Sequence, residues 1–155
     1  MHSSELECAI RSNHCFRPYF RGIFARDTLP DDVKEYPSVY IVNTDPSDRP
    51  GTHWTAIVIK SRGYGLFFDS FGNHPGYYGE ELARFMDSTV YHYDHFRTKI
   101  QSNDSHLCGY FVLAFLFSNM CLFLSLKSFR ELFSINLSVN DCIVYDFVNV
   151  YYDIC

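Results

Sequence analysis

Charge is scarce in this chain. Of 155 residues only 20% are charged, and 13 bases against 18 acids leave a formal net charge of -5. That deficit argues against nucleic-acid binding driven by bulk charge. Arg11, Arg17, Arg21 and Arg26 cluster near the start and read as a solvated face rather than a basic patch. A cleavable leader is also missing, because Met1 to Ile10 is polar and carries two glutamates. No repeat, low-complexity segment or linker interrupts the sequence, so residues 1–155 read as a single domain. No CxxC pair occurs, which argues against a zinc ribbon, and the spacing of His92, His95 and His106 fits no zinc pattern. No metal is expected. The six cysteines, Cys8, Cys15, Cys108, Cys121, Cys142 and Cys155, are scattered and lie mostly in apolar runs. Free cysteine behaves there as a small hydrophobe. We therefore expect free thiols, no disulfide framework, and a reducing intracellular compartment rather than secretion.

Large rings are plentiful. Aromatic residues make up 18% of the chain, with 12 Tyr and 15 Phe, and hydrophobic residues 47%. A chain of this length and composition can bury a core without staples. "SSELECAIRS" (Ser3 to Ser12) predicts a helix capped by Ser3 or Ser4. "FRPYFRGIFARDTLPDD", broken by Pro18, Gly22 and Pro30, predicts irregular chain. "SVYIVNT", "HWTAIVIK" and "GYGLFFDSFG" predict three strands, the last two joined by a hairpin at "SRG". "GEELARFMDS" fits an amphipathic helix, and "TVYHYDHFRTKI" a strand ending at Ile100. Helices follow near Cys108, in "SLKSFRELF" and in "VNDCIVYDFVNVYYDI". The order predicts an α+β fold, with helices packed on a small, mostly antiparallel sheet.

Leu107 to Leu126 carries no formal charge and is about as long as a bilayer needs. Asn119 near its middle and the lack of a flanking Lys/Arg cluster argue against a membrane span. The strands before it also need an apolar partner, so it reads as a central buried helix, apolar on all sides. Cys108 then stands in the first turn of that helix. Unsatisfied N–H groups and the positive helix end favour a thiolate there and can hold an oxyanion. Gly109 would let a substrate or a neighbouring strand approach the backbone.

His53 opens one strand and Asp69 closes the next. An antiparallel hairpin through Ser61, Arg62 and Gly63 makes them neighbours at one sheet end. A carboxylate on one imidazole nitrogen orients the ring, and the other nitrogen can serve a nucleophile. Cys108, His53 and Asp69 are therefore candidates for nucleophile, base and orienter. His106, close to Cys108 in sequence, is a weaker rival as base. Gln101 opens the polar loop "QSNDSHL" before Cys108 and is a candidate neutral oxyanion donor.

These residues carry a resemblance. "GTHW", "FFDSFG" and "Q-x6-C-G", in the order His, acid, Gln, Cys-Gly, resemble the adenovirus cysteine protease (adenain) family, within the clan of ubiquitin-like-protein proteases. "SSELECAI", "PYFRG" and "IVNT" are similar to the start of adenain in particular. The resemblance covers most of Met1 to Met120. It implies a papain-like cysteine protease fold with His53 as general base, Asp69 as its orienter, Gln101 as oxyanion donor, Cys108 as nucleophile, and Trp54 packed beneath the site. It further implies an endopeptidase that works through a thioester, cuts beside glycine, and processes viral capsid or core precursors in the host nucleus and virion. The family's activating peptide is held by a disulfide, but "STVYHYDHF" has no cysteine where one would be needed. A non-covalent activating strand is the remaining form. The negative net charge speaks against the family's use of DNA as cofactor. We expect a monomer that makes no use of a membrane. Three other functions use the same residues or none of them: a ubiquitin-like-modifier isopeptidase of the same clan, an acyltransferase, and a non-catalytic binding or membrane-associated protein.

Overall fold

The computed structural model describes residues 1–153. Ile154 and Cys155, included above in the last helix and among the cysteines, lie outside the described residues. Ten elements follow one another: α1 (Ser3–Ser12), β1 (Phe20–Ala25), β2 (Ser38–Asn43), β3 (Trp54–Ser61), β4 (Tyr64–Phe68), α2 (Glu80–Thr89), β5 (His92–His95), α3 (Cys108–Met120), α4 (Leu126–Arg130) and α5 (Leu137–Tyr151). The sheet order is β1-β2-β3-β4-β5. This is a mixed α+β fold with a five-stranded sheet packed against helices.

The sheet is not mostly antiparallel. β2–β3 and β3–β4 are antiparallel, whereas β1–β2 and β4–β5 are parallel. The difference comes from the two outer strands, one not expected and one expected to be longer. β1 lies inside the stretch expected to be irregular, and a bulge at Gly22 (φ 145°) breaks its regular pattern. β5 is only four residues of the long strand expected, because chain beyond His95 leaves the ladder. The cap of α1 also differs: His2 is the N-cap, and the Glu5 carboxylate accepts from its backbone N–H.

Both faces of the sheet are covered, which is why β2 and β3 read as nearly unbroken apolar runs. Val39, Ile41, Ala56, Val58, Leu66 and Phe68 point to one side, into a core shared with α1, α3, α4 and α5. Tyr40, Val42, Ile57, Ile59 and Phe67 point to the other, against Leu82, Phe85 and Met86 of α2. The two sets alternate along each strand, as a pleated strand requires.

The apolar run around Cys108 is a central buried helix. α3 contacts β3, α1, α4 and α5 and is buried nearly all round. Phe115 stacks on Phe68 at 4.4 Å between ring centroids, and Phe129 meets both rings edge-on. The helix stops at Met120, and no helix among the described residues is long and apolar enough to cross a membrane.

The cysteines correct one expectation. Cys15 and Cys121 form a disulfide, which ties the chain after α1 to the end of α3. Scattered positions in sequence concealed two residues that the packing of α1 on α3 brings together. Among the described residues Cys108 and Cys142 are free, the first buried and the second exposed.

Candidate active site

The hairpin sets the register. Ala56 pairs with Phe68, so the residues just outside the ladder, His53 before β3 and Asp69 after β4, emerge at one end of the sheet. His53 Nε2 lies 2.6 Å from Asp69 Oδ1, and both side chains are buried. The other ring nitrogen is left for Cys108, which lines the same cleft and interacts electrostatically with His53. Cys108 heads α3, whose N-cap Leu107 supplies no capping side chain. The backbone N–H groups of Trp54 and Gly109 favour the charged form of its sulfur. Three of the sequence-predicted residues are therefore in one contact chain.

The electrostatics follow from that chain. Burial disfavours the charged imidazole, but hydrogen bonds to Asp69 and Cys108 and their charges outweigh it, and the His53 pKa is pushed up to about 9. Burial pushes the Cys108 thiol up. The His53 hydrogen bond and charge, with the Trp54 and Gly109 N–H groups, more than reverse this and bring it below its ordinary value. Burial likewise works against the Asp69 carboxylate, yet His53, the Tyr78 hydroxyl and the Phe71 N–H hold its pKa below the usual range.

Gln101 is the fourth predicted residue. It is buried, and its Oε1 accepts from Ser70 Oγ at 2.5 Å while its Nε2 donates to the Ser105 carbonyl at 2.9 Å. Its backbone is held from two sides. The Ser70 carbonyl accepts from the Ile100 and Gln101 N–H groups, and Asn140 of α5 donates to the Ile100 carbonyl at 3.0 Å. Gln101, Cys108, His53 and Trp54 line one open cleft of about 780 Å³. His106 reaches the same cleft but is exposed.

Several neighbours went unrecognised in the sequence. Tyr78 donates to Asp69 Oδ2 at 2.6 Å, and Phe71 stacks on the His53 ring at 4.7 Å. The N–H groups of Phe71 and Asn73 also donate to Asp69, at 3.0 and 3.2 Å. Phe71 and Ser70 belong to the "FFDSFG" stretch and were legible as neighbours of Asp69. Tyr78 carried no signal, because a Gly/Pro-rich turn returns it to the site. Gly72 makes that turn at φ +77°, and a Cβ there would meet the backbone of Thr98 at 2.8 Å and Lys99 at 2.9 Å.

Gly109 and Trp54 both meet the N-terminal segment. A Cβ on Gly109 would meet Met1 Sδ at 2.9 Å and Leu6 Cδ2 at 3.4 Å, so the residue approaching closely is the N-terminal segment. Trp54 Nε1 donates to the Met1 carbonyl at 3.0 Å, and Trp54 lines the cleft. Among the described residues no group of three or more His, Cys, Asp or Glu side chains could hold a metal ion.

No protein-family profile matches the chain, and no curated protein matches it. Solved structures do. The chain is similar to a protease of ASFV, with 22% identity and a TM-score of 0.47, over 76% of this chain and 45% of that one. It therefore spans less than half the length of the ASFV protease. It is also similar to the central domain of an uncharacterised Legionella pneumophila protein, with 11% identity and a TM-score of 0.55, over 97% of this chain and 98% of that one. That second likeness is one of fold, shared nearly end to end. The chemistry rests on the site itself. A thiol with a depressed pKa, a charged imidazole and a buried carboxylate at the mouth of a helix can carry out nucleophilic acyl chemistry.

Proposed function

We propose that the chain is a cysteine endopeptidase. The observation that carries this reading is the contact chain Asp69–His53–Cys108 at the head of a buried helix, opening on a cleft. In this reading the Cys108 thiolate attacks the scissile carbonyl carbon. The oxyanion forms beside Gln101 and the backbone N–H groups at the start of α3. His53 gives its proton to the leaving amine as the C–N bond breaks, which leaves a thioester on Cys108. His53 then takes a proton from water, hydroxide adds to the thioester carbonyl, and the thiolate is expelled.

The finer parts rest on the sequence resemblance to the adenain family. They are a cut beside glycine, viral capsid or core precursors as substrates, and action in the host nucleus and virion. The Cys15–Cys121 disulfide withdraws the cysteine-based argument for a reducing compartment. A non-covalent activating peptide would add as a strand to a free edge of the sheet, outside β1 or β5, and the net charge of -5 speaks against DNA as an activator. We propose a monomer with no metal and no membrane role.

Purified protein with a fluorogenic peptide ending in Gly-Gly tests the activity. Hydrolysis that disappears with Cys108→Ala and with His53→Ala is expected, a loss of at least about 10³-fold. Product mass distinguishes the rivals. A free acid means hydrolysis, an amine adduct means acyl transfer, and cleavage confined to modifier conjugates means an isopeptidase. Turnover that survives Cys108→Ala contradicts the proposal.

A further inference from the structure

Between the acid and the ring that stacks on the histidine stands Ser70, a residue with no part in the steps above. It is fully buried. Its hydroxyl donates to Gln101 Oε1 at 2.5 Å, and its carbonyl accepts from the Ile100 and Gln101 N–H groups at 2.9 and 3.2 Å. We propose that Ser70 is a positioning residue that aims the Gln101 amide into the cleft, an inference that rests on the donor role given to Gln101 above.

The argument is one of donor and acceptor counting. A side-chain amide has two N–H donors and one carbonyl acceptor, and its two orientations differ little in shape. At Gln101 they differ sharply in energy. In the observed orientation Oε1 meets a hydroxyl, and one Nε2 hydrogen meets the Ser105 carbonyl at 2.9 Å. Turned over, Oε1 would face that carbonyl, acceptor against acceptor, and the Ser70 hydroxyl would have to accept. With Oε1 pinned and one Nε2 hydrogen engaged, the second Nε2 hydrogen is the one left for an oxyanion. Gln101 and Cys108 line the same cleft, which is where that oxyanion forms. Without the Ser70 hydroxyl, Oε1 is a buried acceptor with no donor, and the amide gains by rotating toward water. The stretch Asp69-Ser70-Phe71 therefore sets three parts of the site: the carboxylate on His53, the orientation of the Gln101 amide, and the ring against His53.

Ser70→Ala tests this beside Gln101→Ala, with Ser70→Cys as a near-isosteric variant that keeps a weak donor. We expect Gln101→Ala to lower kcat by about 10²–10³-fold and Ser70→Ala by about 10–100-fold, with KM nearly unchanged. Ser70→Cys should fall between wild type and Ser70→Ala, and the Ser70→Ala/Gln101→Ala pair should be no slower than Gln101→Ala alone. Alkylation of Cys108 by chloroacetamide should be unchanged in all of them, because the His53 pair is intact; a general structural defect would slow it. Wild-type kcat in Ser70→Ala beside a crippled Gln101→Ala overturns the inference. Wild-type kcat in Gln101→Ala instead overturns the donor role of Gln101, and the inference with it. The side-chain NH2 resonances of Gln101, read by ¹⁵N NMR, need no substrate. They should be dispersed in wild type and move to the solvent-exposed position in Ser70→Ala, and unmoved resonances overturn the inference.

Discussion

Asp69 accepts four hydrogen bonds, and only one of them comes from His53. The others set the carboxylate's angle before the imidazole arrives. Tyr78 supplies the one side-chain donor among them, and burial and the Asp69 charge push its phenol far above its ordinary pKa, so the proton stays on its oxygen. Tyr78→Phe should lower kcat about 10-fold and stability by about 1–3 kcal/mol, measured by steady-state kinetics and urea melts. The same contacts fix the pH response. The acid limb of kcat/KM should lie where the Cys108 thiol ionises, below its ordinary value, and the alkaline limb near the His53 pKa of about 9. Above that limb the leaving amine finds no proton. Asp69→Asn removes the charge that helps raise the His53 pKa while keeping a carbonyl acceptor, so its alkaline limb should move to lower pH. An unmoved limb would mean that Asp69 does not hold the proton on His53.

At the scale of elements, the site is assembled where strand ends meet a helix start. The β-rich runs "HWTAIVIK" and "GYGLFFDSFG" around the "SRG" hairpin are enough to place His53 and Asp69 at one end of a hairpin, and the apolar run is enough to place Cys108 at a helix mouth. The contact of Ser70 with Gln101 is not legible, because it depends on a turn packed against a distant backbone. Gly72 is that turn. Gly72→Ala combines a φ of +77° with a Cβ under 3.0 Å from the Thr98 and Lys99 backbone. It should cost about 1–3 kcal/mol and separate Ser70 from Gln101, with kcat falling more than stability alone explains. β1 and β5 were missed or overdrawn for a related reason. Edge strands paired on one side carry a weak alternation, and here Gly22 and the departure after His95 blur it further.

Across the whole molecule, α3 is clamped at both ends. Its head faces the end of the β3–β4 hairpin where Cys108 and His53 line one cleft, and its tail is joined to the chain after α1 by Cys15–Cys121. That bond closes a loop of 106 residues, so it restricts the unfolded chain strongly. Reduction, or Cys15→Ser, should lower unfolding free energy by about 2–4 kcal/mol in urea while the site keeps its activity at 25 °C. No periodicity announces a bridge between residues that far apart, and composition pointed the other way.

The central claim is that Cys108 is an activated thiolate despite its burial, and Cys142, exposed and free, provides a reference in the same molecule. The most direct test is the rate of chloroacetamide labelling at each cysteine at pH 6, mapped by peptide mass, in wild type and in His53→Ala. The account predicts that Cys108 is labelled far faster than Cys142, and that the advantage is lost without His53. Preferential labelling of Cys142, indifferent to His53, would contradict it.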